Sequence, residues 1–225
     1  MPSPGAPPVF VEQPTQRIVP DAWKLAALPL GFAVAFALAG SAFTWLWLGL
    51  AAFVVAFFRN PERAIPGDDR TVVSPADGKV IAVGEVEQAD GTKALRIGIF
   101  LSVFNVHVNR APLAGRVVSV ERSGSKFLAA FNPEAERLNV ACAMTLETAR
   151  GERVRVVQIT GLIARRIVFH PRVGDWIVRG ARYGLIRFGS RTDVVLPASA
   201  RASVRVGDRV RGGSSVLAAL PETGA

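Results

Sequence analysis

YGLIRFGSRTDVVLP, residues 183–197, alternates aliphatic and β-branched side chains as a core strand does, yet it carries Phe188-Gly189-Ser190-Arg191 in its middle. Glycine inside a strand pattern weakens it and marks a bulge or a close backbone approach. A second Gly-Ser step, Gly213-Ser214, follows in RGGSSVLAAL, so the chain holds two candidates for whatever the first interruption signifies. Outward from this stretch, the sequence beyond Thr71 is a series of short β-branched runs: TVVSP, GKVIAVGEVE, ALRIGIFLS, AGRVVSVER, ACAMTLET, RVRVVQITG, RIVFH and ASVRV. Gly, Pro and Asp space them. This predicts a mainly β barrel or sandwich, with one helical turn near Pro133–Arg137.

There is an internal echo. VGDWIVRGARYGLI (173–186) and VGDRVRGGSSVLAA (206–219) share Val-Gly-Asp, a hydrophobic residue, then Arg-Gly and an aliphatic residue. Turns of this kind occur in the barrel-sandwich fold of biotinyl and lipoyl carriers. A carrier needs a lysine at an exposed hairpin tip, and Lys79 in ADGKVIA is the one candidate, without flanking methionines. The echo also makes RGGSS the turn of a recurring element.

Before the β region, Leu25–Phe58 is an uncharged run of 34 residues. It has no polar face and exceeds the ~20 apolar residues of one membrane span. Pro29, Gly31 and Gly40-Ser41 predict a bend, hence two helices, about 25–39 and 42–58, in a membrane hairpin. Arg17 and Lys24 precede it and Arg59 and Arg63 follow it, which places both ends on the cytoplasmic face of a cell membrane. A cleaved signal peptide is disfavoured by the length of the run and its proline-rich leader. The expected organisation is a flexible leader over 1–22, the hairpin over 23–58 and a β-domain over 59–225.

The net charge of +9 is carried almost wholly by arginine. Beside an apolar anchor, attraction to anionic lipid explains it better than nucleic acid, for which no aromatic-interleaved basic segment is present. The single Cys142 allows no internal disulfide and reads as a small buried apolar residue. No Cys/His cluster supplies a metal site, and no glycine-rich loop ending in Lys-Ser/Thr supplies a phosphate cradle. What remains is Asp77 in SPADGKV, His107 in FLSVFNVHVNRAPLAG and the Gly189-Ser190 step.

In this order behind an anchor, FFRNPER, VSPADGKV, HVNRAP and GLIRFGSRTDVVLP resemble the phosphatidylserine decarboxylase proenzymes, in their short bacterial form. The resemblance spans nearly the whole chain and selects Gly189-Ser190 as a self-cleavage site, leaving Gly213-Ser214 in the tail. It implies that Ser190 attacks the Gly189 carbonyl and ends as a pyruvoyl group on an α chain, 190–225, which stays associated with a β chain, 1–189. That group would form a Schiff base with phosphatidylserine, and carbon dioxide would leave to give phosphatidylethanolamine. The family's Asp-His-Ser arrangement maps onto Asp77 as orienting carboxylate, His107 as base and proton donor, and Ser190 as nucleophile. Many members carry a second histidine three residues after the first, and here that position is Arg110; His107 serving both steps is the expectation, His170 the alternative. Arg165 and Arg166 are candidates for the lipid phosphate. Two other readings stay open: a non-enzymatic carrier-like β-domain, and a decarboxylase of another serine phospholipid such as an archaeal-type ether lipid.

Overall fold

The computed structural model describes residues 9–10, 12–88, 90–129, 132, 134–162, 166–187 and 189–221; Pro133, Arg165 and Phe188 lie outside the described residues. The chain divides into two compact units, Pro14–Glu62 and a second made of Arg63–Ala225 with the N-terminal residues up to Gln13.

In the first unit, helices α1 (Asp21–Leu38) and α2 (Thr44–Phe57) pack on one another. The chain stays helical through Pro29 and Gly31, so the bend falls only at Gly40-Ser41. There Gly40 N–H donates to the Ala37 carbonyl and Ser41 N–H to the Phe36 carbonyl, the bond pair that closes a helix on a left-handed residue. Phe32 stacks on Trp47 with ring centres 4.6 Å apart. FFRNPER ties the base: buried Asn60 donates from Nδ2 to the carbonyls of Pro14 and Gln16, each at 2.9 Å, and its N–H donates to Arg17 at 2.7 Å. Leu28, Val34, Leu38, Trp45 and Leu46 are exposed, and a helix apolar on all sides is built for an environment other than water. By length and composition α1 could cross a membrane, and such an N-terminal helix suggests membrane association.

The second unit is mainly β, as the sequence indicates. Its elements are β1 (Thr71–Val73), β2 (Gly78–Glu87), β3 (Lys93–Leu101), β4 (Val108–Arg110), β5 (Gly115–Ser123), the single turn α3 (Ala135–Leu138), β6 (Ala141–Glu147), β7 (Arg153–Ile159), β8 (Arg166–Phe169), β9 (Trp176–Ile177), β10 (Arg182–Arg187), β11 (Ser190–Pro197), β12 (Arg201–Ala202), β13 (Arg209–Val210) and β14 (Val216–Ala219). Eight strands form one sheet, β13-β2-β3-β11-β7-β6-β5-β9, beside the three-stranded sheets β1-β14-β12 and β4-β10-β8. The inward alternation puts Ile97, Ile99, Leu101, Met144, Leu146, Val154, Val156, Val194 and Leu196 into one core.

The echo in the sequence is a structural repeat. In the large sheet β13-β2-β3-β11 answers β9-β5-β6-β7, and β1-β14-β12 answers β4-β10-β8. In the Val-Gly-Asp turns, Gly174 N–H donates to Val117 at 2.8 Å and Gly207 N–H to Val80 at 2.9 Å. Each aspartate closes its turn identically, Asp175 accepting from Arg172 N–H at 2.8 Å and Asp208 from Arg205 N–H at 3.0 Å. Gly180 and Gly213 are also counterparts, with N–H groups on the carbonyls of Ala111 and Ser74. The strand that begins at Ser190 pairs with β7 at the centre of this repeat.

Two expectations are refined. The segment read as a leader without structure is partly docked: Phe10 N–H donates to Trp176 at 2.8 Å and Gln13 N–H to Arg182 at 2.9 Å, and α1 already begins at Asp21. The cause is the open edge of β9, whose unpaired backbone groups take up an extended partner. The strands β4, β9, β13 and β14 were not anticipated, because two to four residues are too few to show a period, and the run ASVRV keeps only Ala202 in a strand.

Candidate active site

β10 lies between β4 and β8 in one sheet, and β11 lies between β3 and β7 in another. The chain leaves the first sheet after Arg187 and enters the second at Ser190. Gly189 has φ +63°, and nothing lies within 4 Å of where a Cβ would sit, so the backbone conformation rather than crowding calls for glycine. The interruption is narrower than the sequence indicates, since Ser190 already pairs with Leu101, and Arg191 with Phe100 and Ile159. Ser190 is fully buried and its Oγ has no hydrogen-bond partner among the described residues. Buried hydroxyls are nearly always satisfied, so this one requires an explanation.

His107 supplies the neighbouring chemistry. It ends the loop between β3 and β4 and is 2% exposed. Within that loop Asn105 Oδ1 accepts from Ser102 N–H at 2.9 Å and Ser102 Oγ at 2.8 Å, forming a tight side-chain-closed turn. The turn sets the Asn105 carbonyl 2.9 Å from His107 Nδ1. A carbonyl can only accept, so Nδ1 carries the proton and Nε2 is left as an acceptor. Gly189 N–H donates to that Nε2 at 3.3 Å. The loop is fastened to β10 by Ile186 N–H on the His107 carbonyl. The result is a neutral imidazole whose Nε2 accepts from the residue that precedes Ser190.

Asp77 is placed differently. It lies in the turn before β2, where its Oδ2 pairs with Arg63 Nη2 at 2.9 Å and its Oδ1 accepts from Gly212 N–H at 2.7 Å. β3 separates β2, which Asp77 precedes, from β11, which Ser190 begins. The structure thus brings His107 to Gly189-Ser190 and gives the Asp77 carboxylate to Arg63 and to the RGGSS turn. The group that orients His107 Nδ1 is the Asn105 carbonyl, which sequence reasoning missed; the Ser-x-x-Asn spacing of a side-chain-closed turn is the signal that could have found it.

The remaining candidates separate clearly. Arg110 is buried and donates to the Gly180 carbonyl at 3.0 Å. Burial, and after it the nearby Arg182 guanidinium, push Arg110 down to about 10, so it is still a cation at neutral pH and no base. His170 N–H donates to the Tyr183 carbonyl, at the end of β10 away from Gly189, and burial lowers its pKa. From Tyr183 to Arg187 the strand runs ~13 Å further towards Gly189. Arg166 is exposed and pairs with Arg187 at the near end. Lys79 sits in the β2 ladder opposite Phe100 and Arg209, not at a hairpin tip, which removes the carrier reading's lysine. Cys142 is buried, and burial pushes its thiol up.

The site is therefore a buried serine after a left-handed glycine, with a neutral imidazole accepting from that glycine. The chain belongs to the phosphatidylserine decarboxylase family, whose model matches residues 50–218. It is 53% identical over 176 residues to the phosphatidylserine decarboxylase proenzyme of Symbiobacterium thermophilum, covering 77% of this chain and 82% of that protein. The proenzyme of Geotalea uraniireducens is 49% identical over 176 residues, with coverages of 78% and 83%. That of Desulfotalea psychrophila is 44% identical over 195 residues, with coverages of 84% and 91%.

Proposed function

We propose that this chain cuts itself between Gly189 and Ser190 and then decarboxylates phosphatidylserine to phosphatidylethanolamine at a membrane surface. The observation that carries the reading is the orphaned Ser190 Oγ in a site where His107 Nε2 has only its lone pair to offer. In the first step the Ser190 oxygen bonds to the Gly189 carbonyl carbon and its proton passes to His107 Nε2. The Gly189–Ser190 C–N bond breaks, and the Ser190 nitrogen takes that proton, leaving an ester. Loss of the Ser190 α-proton then expels the Gly189 carboxylate. Water adds at the α-carbon and ammonia leaves, so residue 190 ends as a pyruvoyl cap on an α chain, 190–225, beside a β chain, 1–189.

The residues fit such a group, because residue 190 is fully buried and no described residue bonds its Oγ, so the methyl left there once that oxygen departs with Gly189 forfeits no partner. A pyruvoyl carbonyl there supplies an electrophile for the substrate amine and takes up the electrons released with carbon dioxide. His107, the one imidazole at this end of β10, is the proton donor for the second step as well as the base for the first. The two events are separate in time, so its protonation state can differ between them. Arg166, beside Arg187 at the Gly189 end of β10, is the residue we assign to the lipid phosphate.

The helix pair is the anchor on the cytoplasmic face. α1 has 18 residues and α2 has 14. At 1.5 Å per residue these are about 27 and 21 Å long, against a hydrocarbon core of about 30 Å. The second helix is too short to return across, which favours a hairpin seated in one leaflet. The test is release of labelled carbon dioxide from carboxyl-labelled phosphatidylserine in vesicles. Release by the wild type and none by Ser190→Ala supports the reading; equal release, or release from neither, contradicts it.

A further inference from the structure

One tier below His107 and Ser190 lies a buried polar chain that the reaction above does not use. Asn109 is two residues from His107, and Thr192 is two residues from Ser190 on the same face of β11. Asn109 Nδ2 donates to Thr192 Oγ1 at 3.2 Å and to the Pro75 carbonyl at 3.3 Å. Gln158, opposite Thr192 in the β7–β11 ladder, donates from Nε2 to Asn109 Oδ1 at 2.7 Å. All three side chains are fully buried. They cross-tie β4, β7 and β11, which carry or adjoin both reacting residues.

This tier is not what a purely stabilising core would contain. Gln158 Oε1 is buried without a hydrogen-bond partner among the described residues, and a half-satisfied polar network is worse for stability than an apolar one. What the tier does provide is a bond between the two future chains. Asn109, Pro75 and Gln158 all lie in the segment 1–189, and Thr192 lies in 190–225. Before cleavage, residue 190 is held by a continuous backbone through Gly189. After cleavage it is a chain end, and chain ends fray unless tied down.

We propose that Asn109, Gln158 and Thr192 are positioning residues that keep residue 190 opposite His107 once the backbone has been cut. The proposal rests on the cleavage assigned above. It gives the two steps different needs: processing begins from an intact strand, while turnover works from a strand terminus. A displacement of about 1 Å at a reacting group can cost about 10²-fold in rate.

The test uses Thr192→Val, which keeps shape and loses the acceptor, Gln158→Met, which keeps length and loses the amide, and Thr192→Ser as the conservative control. For each full-length protein, cleavage rate is read from chain masses in freshly translated samples, and kcat and KM from phosphatidylserine turnover. Hydrogen exchange at residues 191–193 is compared in cut protein and in the uncut Ser190→Ala background. The expected result is cleavage near the wild-type rate, kcat lower by about 10²-fold with little change in KM, and faster exchange in the cut protein only. Thr192→Ser should restore all three. Equal slowing of cleavage and turnover, or faster exchange in cut and uncut protein alike, would overturn the proposal by making the tier ordinary core. A wild-type chain never cut before residue 190 would remove the reading beneath it instead.

Discussion

Gly189-Ser190 and Gly213-Ser214 are the same dipeptide, and both glycines are left-handed, with φ of +63° and +78°. Their surroundings share little else. A Cβ on Gly213 would meet Arg110 Cδ at 2.8 Å, whereas one on Gly189 would meet nothing within 4 Å. Ser214 is half-buried in a turn, its N–H on the Arg211 carbonyl at 3.0 Å, with Ser215 Oγ accepting from Arg211 N–H at 2.9 Å. Ser190 is fully buried, its oxygen is unsatisfied, and the residue before it donates to an imidazole. The first glycine is left-handed because the chain must leave one sheet for another; the second because a repeated turn requires it. The two serines are told apart by what the oxygen of each meets and by the imidazole beside one of them, not by the dipeptide that contains them.

The largest effect that could break this contrast is at the two serines. Ser190→Ala should give one uncut chain and no decarboxylation, and Ser214→Ala should be cut like the wild type on an electrophoretic gel; the reverse pattern would exchange the roles of the two steps. His107→Ala should slow cleavage by about 10²–10⁴-fold, the usual loss of a general base, measured in freshly translated protein. His170→Ala should cleave at the normal rate, and slow cleavage there would move the base to the other end of β10. A smaller effect sharpens the backbone difference. Alanine at a left-handed position costs about 1–2 kcal/mol, so in the uncut Ser190→Ala background Gly189→Ala and Gly213→Ala should both lower Tm. Gly213→Ala should lower it more, because Arg110 must also move; equal shifts would mean that crowding plays no part.

The smallest effect concerns His170. Burial lowers its folded pKa below the ordinary 6.5, so the folded state binds fewer protons than the unfolded chain. Its contribution is therefore present above pH 6.5 and is lost as pH falls from there towards the folded value. Thermal unfolding of His170→Gln against the wild type should show a difference that shrinks on acidification through this window. A difference that grows on acidification would mean the protonated form is the one stabilised.

The sequence made the β class, the helix pair and the Gly189 step legible because each rests on a local pattern: period-two runs, an uncharged stretch, a glycine out of place. Even the two-fold repeat showed through its Val-Gly-Asp turns. What stayed hidden depends on contacts between distant residues. The partners of Asp77, Arg63 and the Gly212 N–H, lie 14 and 135 residues away, and nothing in ADGKV points to them. The orientation of His107 by the Asn105 carbonyl was missed for another reason. A carboxylate is the residue type expected behind a catalytic imidazole, and a main-chain carbonyl leaves no trace in residue identity. The amide tier of Asn109, Gln158 and Thr192 was invisible because its members sit in three strands and unite only in the folded sheet.

The most direct discrimination between the two Gly-Ser steps is the intact mass of the purified, denatured protein, followed by N-terminal sequencing of the smaller fragment. Two masses corresponding to 1–189 and 190–225 are expected, with the smaller fragment blocked because a pyruvoyl cap has no amine to react. A single uncut mass, or a fragment beginning at Ser214, would contradict the assignment of Gly189-Ser190 as the reactive step.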